Sequence, residues 1–128
     1  MKKPKILIID DHDLPIIVQK KMWKSRFKLS PDSVKDAREA IGLIGKNKYN
    51  LIICDLNMPT YNGYDFIKFI REQGCKTPII VVSAARSVVN VNKAISSGAD
   101  EYIVKPIDEN VYFTKVAKFI ELKDIKSE

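Results

Sequence analysis

The sequence predicts an α/β domain, a parallel β-sheet with helices on both faces. Three observations carry that expectation. First, short unbroken apolar runs recur along the chain: Lys5-Ile6-Leu7-Ile8-Ile9, Leu51-Ile52-Ile53-Cys54, Pro78-Ile79-Ile80-Val81-Val82 and Tyr102-Ile103-Val104. Runs of this kind, bounded by turn signals, read as strands buried on both faces, which is the habit of parallel sheets. Second, the segments between them place apolar residues at helical spacing. Third, each run ends on polar chemistry: Asp10-Asp11, Asp55, Ser83 and Lys105. In a parallel sheet these ends share one edge, and in open parallel sheets the ligand crevice lies outside that edge. Taken alone, Asp55 reads as an ordinary turn residue. Together, the four ends predict a cluster of acids, a hydroxyl and a lysine.

Composition sets the frame. The 128 residues fit one domain, and 45% apolar residues suffice for a full core. No apolar run approaches the roughly 20 residues that span a bilayer. The basic start Met1-Lys2-Lys3-Pro4 precedes an apolar run too short for a signal-peptide core, so the expectation is a cytoplasmic protein. Two cysteines, Cys54 and Cys75, suit a reduced compartment, with Cys54 a small buried hydrophobe. One histidine and two separated cysteines make no zinc signature. The net charge is +6, with lysines spread along the chain and denser at Lys20, Lys21, Lys24, Arg26 and Lys28. That stretch reads as a solvated helix face, or as a docking surface for an acidic partner. No nucleic-acid motif accompanies it, so no direct DNA binding is expected.

In chain order, the first strand covers 5–10. Pro15 suits the first turn of a helix, and Leu14, Ile17, Val18 and Met22 give that helix an apolar stripe. His12 reads as a partly exposed loop residue. A short second strand falls within 29–35, where Pro31 confines it to a sheet edge. Ala37, Ala40, Ile41 and Ile44 mark a second helix, weakened by Gly42 and Gly45. After the third strand, Asn62-Gly63 is a turn signal. Phe66, Ile67 and Ile70 supply the stripe of the third helix, and Gly74 ends it. The fourth strand is 78–83. Val88, Val91 and Ile95 give the fourth helix, stopped by Gly98, and the fifth strand is 101–104. Asp108 caps a fifth helix with the stripe Tyr112, Val116, Phe119 and Ile120. A core of about 5–122 and a charged, fraying tail at 123–128 are expected.

With these residues assembled, the chain resembles a response-regulator receiver domain of two-component signalling. The resemblance rests on Asp10-Asp11, on Asp55-Leu56-Asn57-Met58-Pro59 with Gly63, on Ser83-Ala84 and on Lys105-Pro106, in that order and at strand ends. It implies a flavodoxin-like doubly wound sheet of order 2-1-3-4-5, which makes the second strand an edge. It implies that Asp55 accepts a phosphoryl group from a sensor histidine kinase or histidine phosphotransfer protein. Asp10, Asp11 and Asp55, with the Asn57 backbone carbonyl, would bind Mg²⁺, Asp10 mainly through water. Lys105 would pair with Asp55 and then with the phosphoryl group. Ser83 would be the switch hydroxyl, Tyr102 the aromatic that moves with it, and Lys105-Pro106 a cis bond. Such a domain catalyses only its own phosphorylation and dephosphorylation.

The chemistry agrees with those roles. Phosphoryl transfer needs positioning and charge neutralisation more than covalent help. Mg²⁺ held by a few carboxylates, waters and phosphate oxygens relieves the repulsion of clustered acids, and a carboxylate nucleophile yields an acyl phosphate. Two features depart from the family pattern: Ser30-Pro31 near the second strand, and Ser96 where the helices of DNA-binding family dimers carry an acid. The chain resembles a stand-alone receiver or an excised N-terminal one. The alternatives are a degenerate receiver acting only through protein contacts, and a flavodoxin-like cofactor binder. The latter would need a phosphate-binding loop where Asp10-Asp11-His12-Asp13 stands.

Overall fold

Five parallel strands form one sheet in the order β2-β1-β3-β4-β5. The computed structural model describes residues 3–58 and 61–122, so the expected tail at 123–128, and Pro59 of the family motif, lie outside the described residues. The elements are β1 (Ile6–Ile9), α1 (Asp13–Phe27), β2 (Asp32–Val34), α2 (Ala37–Lys46), β3 (Leu51–Cys54), α3 (Gly63–Glu72), β4 (Ile79–Ser83), α4 (Val88–Ser97), β5 (Glu101–Val104) and α5 (Glu109–Val116). Every neighbouring pair is parallel, so each strand is joined to the next through a helix. This is the expected flavodoxin-like order, with β2 at an edge directly after Pro31. Among the described residues, no helix is long and apolar enough to cross a membrane.

The alternation of strand side chains divides the interior in two. Leu7, Ile9, Ile52, Cys54, Ile79, Val81 and Tyr102 face one way and pack with Ala37, Ala40, Phe66, Ile67, Ile70 and Ala94 of α2, α3 and α4. Ile6, Ile8, Leu51, Ile53, Ile80, Val82 and Ile103 face the other way, against α1 and α5. Because both faces are covered, the strands read as continuous apolar runs rather than alternating ones. Full burial of one such aliphatic side chain contributes about 1.5–3 kcal/mol.

Three helix stripes need correction. On α1 the buried residues are Ile16, Gln19, Met22, Trp23 and Phe27, while Leu14, Ile17 and Val18 are 70%, 52% and 39% exposed. The inward face carries Gln19, which an apolar stripe cannot include. Its carboxamide oxygen accepts from the Tyr112 hydroxyl at 2.9 Å, and that hydroxyl accepts from Trp23 Nε1 at 2.9 Å. A buried polar group so satisfied is compatible with a core. On α4, Val88 and Ile95 are exposed, Val91 is half-buried, and Ala94 makes the close contact. On α5, Tyr112 and Val116 are buried as expected, but the α-helix stops at Val116, and Phe119 and Ile120 pack on the core from beyond its end.

Helix ends follow their sequence signals. Asp108 caps α5 by accepting from Val111 N, and Asp36, Asn62 and Ser87 do the same for α2, α3 and α4. Gly98, after α4, has φ +126°, a conformation that other residues resist.

Candidate functional site

Two backbone hydrogen bonds assemble the site. Asp55 N donates to Ile9 O at 2.9 Å, extending the β1–β3 ladder by one step and setting Asp55 beside Asp10. Lys105 N donates to Ser83 O at 2.8 Å, which does the same for β4 and β5. The polar strand ends are thus brought to one edge by the sheet's own register.

Asp10, Asp55 and Ser83 are almost fully buried, at 2%, 4% and 0% exposure. Lys105 Nζ donates to Asp10 Oδ2 at 3.0 Å and stands 3.6 Å from Asp55 Oδ2. Asp10 also accepts from His12 N at 3.0 Å, and Asp55 Oδ1 accepts a long bond from Asn57 N at 3.4 Å. Burial pushes the pKa of Asp55 above the ordinary carboxylate value. Lys105 opposes that rise most, Asp10 adds to it, the Asn57 N–H opposes it and Asp11 adds again. The cause is physical: water is excluded from a pocket of like charges, and one ammonium offsets only part of the repulsion.

One donor atom from each of Asp10, Asp11, His12 and Asp55 lies within 4.8 Å of the others. Asp11 Oδ1 is buried without a hydrogen-bond partner among the described residues. A buried carboxylate oxygen that lacks a donor, set in an oxygen-rich cluster, is what a hard divalent cation would satisfy. His12 is 66% exposed, as expected of a loop residue, yet its Nδ1 reaches into the cluster.

Ser83 Oγ accepts from Ala85 N at 3.2 Å, and the Tyr102 hydroxyl donates to Ala85 O at 2.5 Å. Tyr102 lies in the interior at 5% exposure. The Lys105–Pro106 bond is cis. Gly63 seats the start of α3 under the Asp55 strand end. A Cβ there would meet Leu56 Cα at 2.6 Å and Asp55 O at 2.9 Å, so the close approach excludes any larger residue without movement.

The family model described as "Response regulator receiver domain" matches residues 6–117. The chain belongs to the response-regulator receiver family. This receiver is 34% identical over 101 residues to the uncharacterized transcriptional regulatory protein YcbL of Bacillus subtilis, covering 79% of this chain and 43% of that protein. It is 26% identical over 129 residues to the response regulator protein PilR of Pseudomonas aeruginosa, covering 28% of that protein. The receiver thus spans less than half the length of either relative. Among solved structures, it is similar to the signal receiver domain of a Luxo repressor protein from Vibrio parahaemolyticus. The TM-score is 0.83 at 31% identity, with 98% and 94% of the two chains covered. Its fold is also that of the chemotaxis protein CheY4 of Vibrio cholerae, at TM-score 0.85 and 24% identity, with 93% and 100% covered.

The receiver is therefore a two-component signalling domain, not a conventional enzyme. Its pocket of Asp10, Asp11 and Asp55 with Lys105 is consistent with phosphorylation-activated signalling. The acidic cluster is typical of the Mg²⁺ site of receivers, and receivers are phosphorylated by histidine kinases. The sequence reading did not foresee the contact of His12 Nδ1 with the acids, or Ala85 as the residue shared by Ser83 and Tyr102. The first was signalled by direct adjacency in Asp10-Asp11-His12. The second had no signal, because Ala85 takes part through its backbone.

Proposed function

We propose that this receiver accepts a phosphoryl group on Asp55 from a phosphohistidine of a sensor histidine kinase or histidine phosphotransfer protein, and thereby switches a protein-interaction surface. The observation that carries the proposal is the Lys105 ammonium set between Asp10 and Asp55, at 3.0 and 3.6 Å. In the transfer, an Asp55 carboxylate oxygen forms a bond to phosphorus as the phosphorus–nitrogen bond of the donor breaks. The imidazole keeps the electron pair and takes a proton from water. Asp10, Asp11 and Asp55, with the Asn57 backbone carbonyl, would hold Mg²⁺. When bound, Mg²⁺ supplies charge neutralisation to the carboxylates and to the transferring oxygens. Lys105 favours the ionised, nucleophilic form of Asp55 that burial disfavours, and then pairs with a phosphoryl oxygen.

Ser83 is the switch hydroxyl in this reading. A phosphoryl oxygen offers it a charge-assisted hydrogen bond, stronger than the neutral one it now accepts from Ala85 N. Drawing Ser83 toward the phosphoryl group frees Ala85 and the Tyr102 hydroxyl, and the face of α4, β5 and α5 responds. The donor docks on the exposed apolar residues Leu14, Ile17 and Val18 of α1, in a cytoplasmic setting and without direct DNA contact by this chain. The output partner is a protein.

The test is intact mass after incubation with acetyl phosphate and Mg²⁺. One phosphoryl adduct is expected on the wild-type chain, none on Asp55→Asn and none without a divalent cation. A full adduct on Asp55→Asn would overturn the acceptor assignment. A receiver working through protein contacts alone would take no adduct on either chain.

A further inference from the structure

His12 stands where a cation ligand would stand. Its Nδ1 is 2.9 Å from Asp11 Oδ1 and 3.4 Å from Asp10 Oδ1. Despite the short separation, Asp11 Oδ1 has no hydrogen-bond partner among the described residues. The nitrogen and the oxygen are therefore within ion-pair distance without the geometry of a hydrogen bond. Two donors each about 2.1 Å from one ion stand roughly 3.0 Å apart at an octahedral angle and roughly 3.4 Å apart at a tetrahedral one. The 2.9 Å between His12 Nδ1 and Asp11 Oδ1 is close to the octahedral value. The His12 backbone is also fixed, since its N–H is bound to Asp10 Oδ1 at 3.0 Å.

We propose that His12 is a ligand of the cation site, and that it turns an oxygen-only Mg²⁺ site into one that prefers a borderline transition ion, Zn²⁺ first among them. The inference rests on the reading that Asp10, Asp11 and Asp55 hold a divalent cation. An imidazole adds little for Mg²⁺, which is a hard ion that seeks oxygen. It adds much for Zn²⁺, for which a nitrogen donor beside carboxylates is an ordinary ligand set. The set is drawn from strand ends and one loop residue, so it carries none of the Cys/His spacing by which zinc sites are read from sequence. The imidazole is already exposed to water, so its approach to an ion requires no opening of the core.

The experiment uses the untagged chain, because His12 is then the only histidine. Zn²⁺ and Mg²⁺ are titrated separately into wild type and His12→Asn. Affinity is followed by calorimetry, and the His12 ring resonances by NMR. In wild type, Zn²⁺ is expected to shift the His12 ring signals and to bind more tightly than Mg²⁺. In His12→Asn the ratio of Zn²⁺ to Mg²⁺ affinity should fall by about tenfold or more, the scale on which losing a metal-site partner acts. An equal ratio in the two chains, or Zn²⁺ binding that leaves the His12 ring unshifted, overturns the inference. If Mg²⁺ binds wild type while the ratio is equal, the receiver chemistry stands and only the ligand assignment falls. If Zn²⁺ shifts His12 and Mg²⁺ does not bind, the Mg²⁺ reading falls and the His12 ligand stands.

Discussion

Ser83 and Tyr102 hold the same residue by its two backbone groups: Ala85 N donates to Ser83 Oγ, and Ala85 O accepts from the Tyr102 hydroxyl. The start of the β4–α4 loop is thus tied to the end of β4 and to β5 through one residue.

That shared anchor gives the first prediction. Ser83→Ala should still be phosphorylated on Asp55, but its beryllofluoride-induced amide shifts over residues 84–112 should shrink. Tyr102→Phe removes the second tie and should cost about 0.5–1.5 kcal/mol by urea unfolding. It should also speed amide exchange at 85–88. A Ser83→Ala spectrum that retains the full wild-type shifts would exclude Ser83 as the switch.

The second prediction concerns pH. Burial raises the pKa of Asp55 in the folded chain. A carboxyl with a raised folded value binds its proton more tightly when folded. Its contribution to stability is therefore fully present below the unfolded value and is lost as pH rises through the folded value. At neutral pH and without divalent cations, Asp55→Asn should thus be more stable than wild type, and the difference should close as pH falls toward the ordinary value of 3.8. Thermal melts in chelator across that range check it. Mg²⁺ at ten times its Kd should add about 1.4 kcal/mol to wild type, and less to Asp55→Asn.

The third prediction separates docking from folding. Leu14 is 70% exposed, so Leu14→Ser should change stability by no more than about 0.5 kcal/mol. It should slow phosphoryl transfer from a phosphohistidine protein while leaving acetyl phosphate labelling at the wild-type rate. Equal loss in both assays would count against a docking role.

The fourth prediction rests on close packing. Gly63→Ala forces a methyl group against the backbone of Asp55 and Leu56. It should destabilise the chain by about 1–3 kcal/mol, the range for overpacked sites. It should also lower the rate of acetyl phosphate labelling, because Leu56 Cα and Asp55 O must shift to make room.

Sheet and site edge were legible because strands buried on both faces write unbroken apolar runs, and because parallel pairing forces Asp10, Asp55, Ser83 and Lys105 to one end. The inner face of α1 was not legible. Gln19 belongs to the core only because Tyr112, 93 residues away, answers its oxygen, and no local pattern records that. Leu14, Ile17 and Val18 look like a core stripe for the same reason that they can serve as a docking face: both need apolar residues one helical turn apart. Arg71 was overlooked altogether. Its guanidinium donates to Gly98 O, Cys75 O, Thr77 O and Asp100 Oδ2, joining α3 to the segments that lead into β4 and β5. On a helix that reads as amphipathic, one more arginine looks like solvated surface.

The sheet also decides what the only tryptophan can report. Trp23 is fully buried between α1 and α5, where its ring meets Phe27, Tyr112 and Phe113. Tyr102 lies on the opposite side of the strands, with the α2–α4 layer. Tryptophan emission should therefore follow the melting of the α1–α5 layer, and loading of Asp55 should reach it only through the movement of α5 against Trp23. A fluorescence assay that reads the Ser83–Tyr102 switch directly would need a second indole placed on the Tyr102 side.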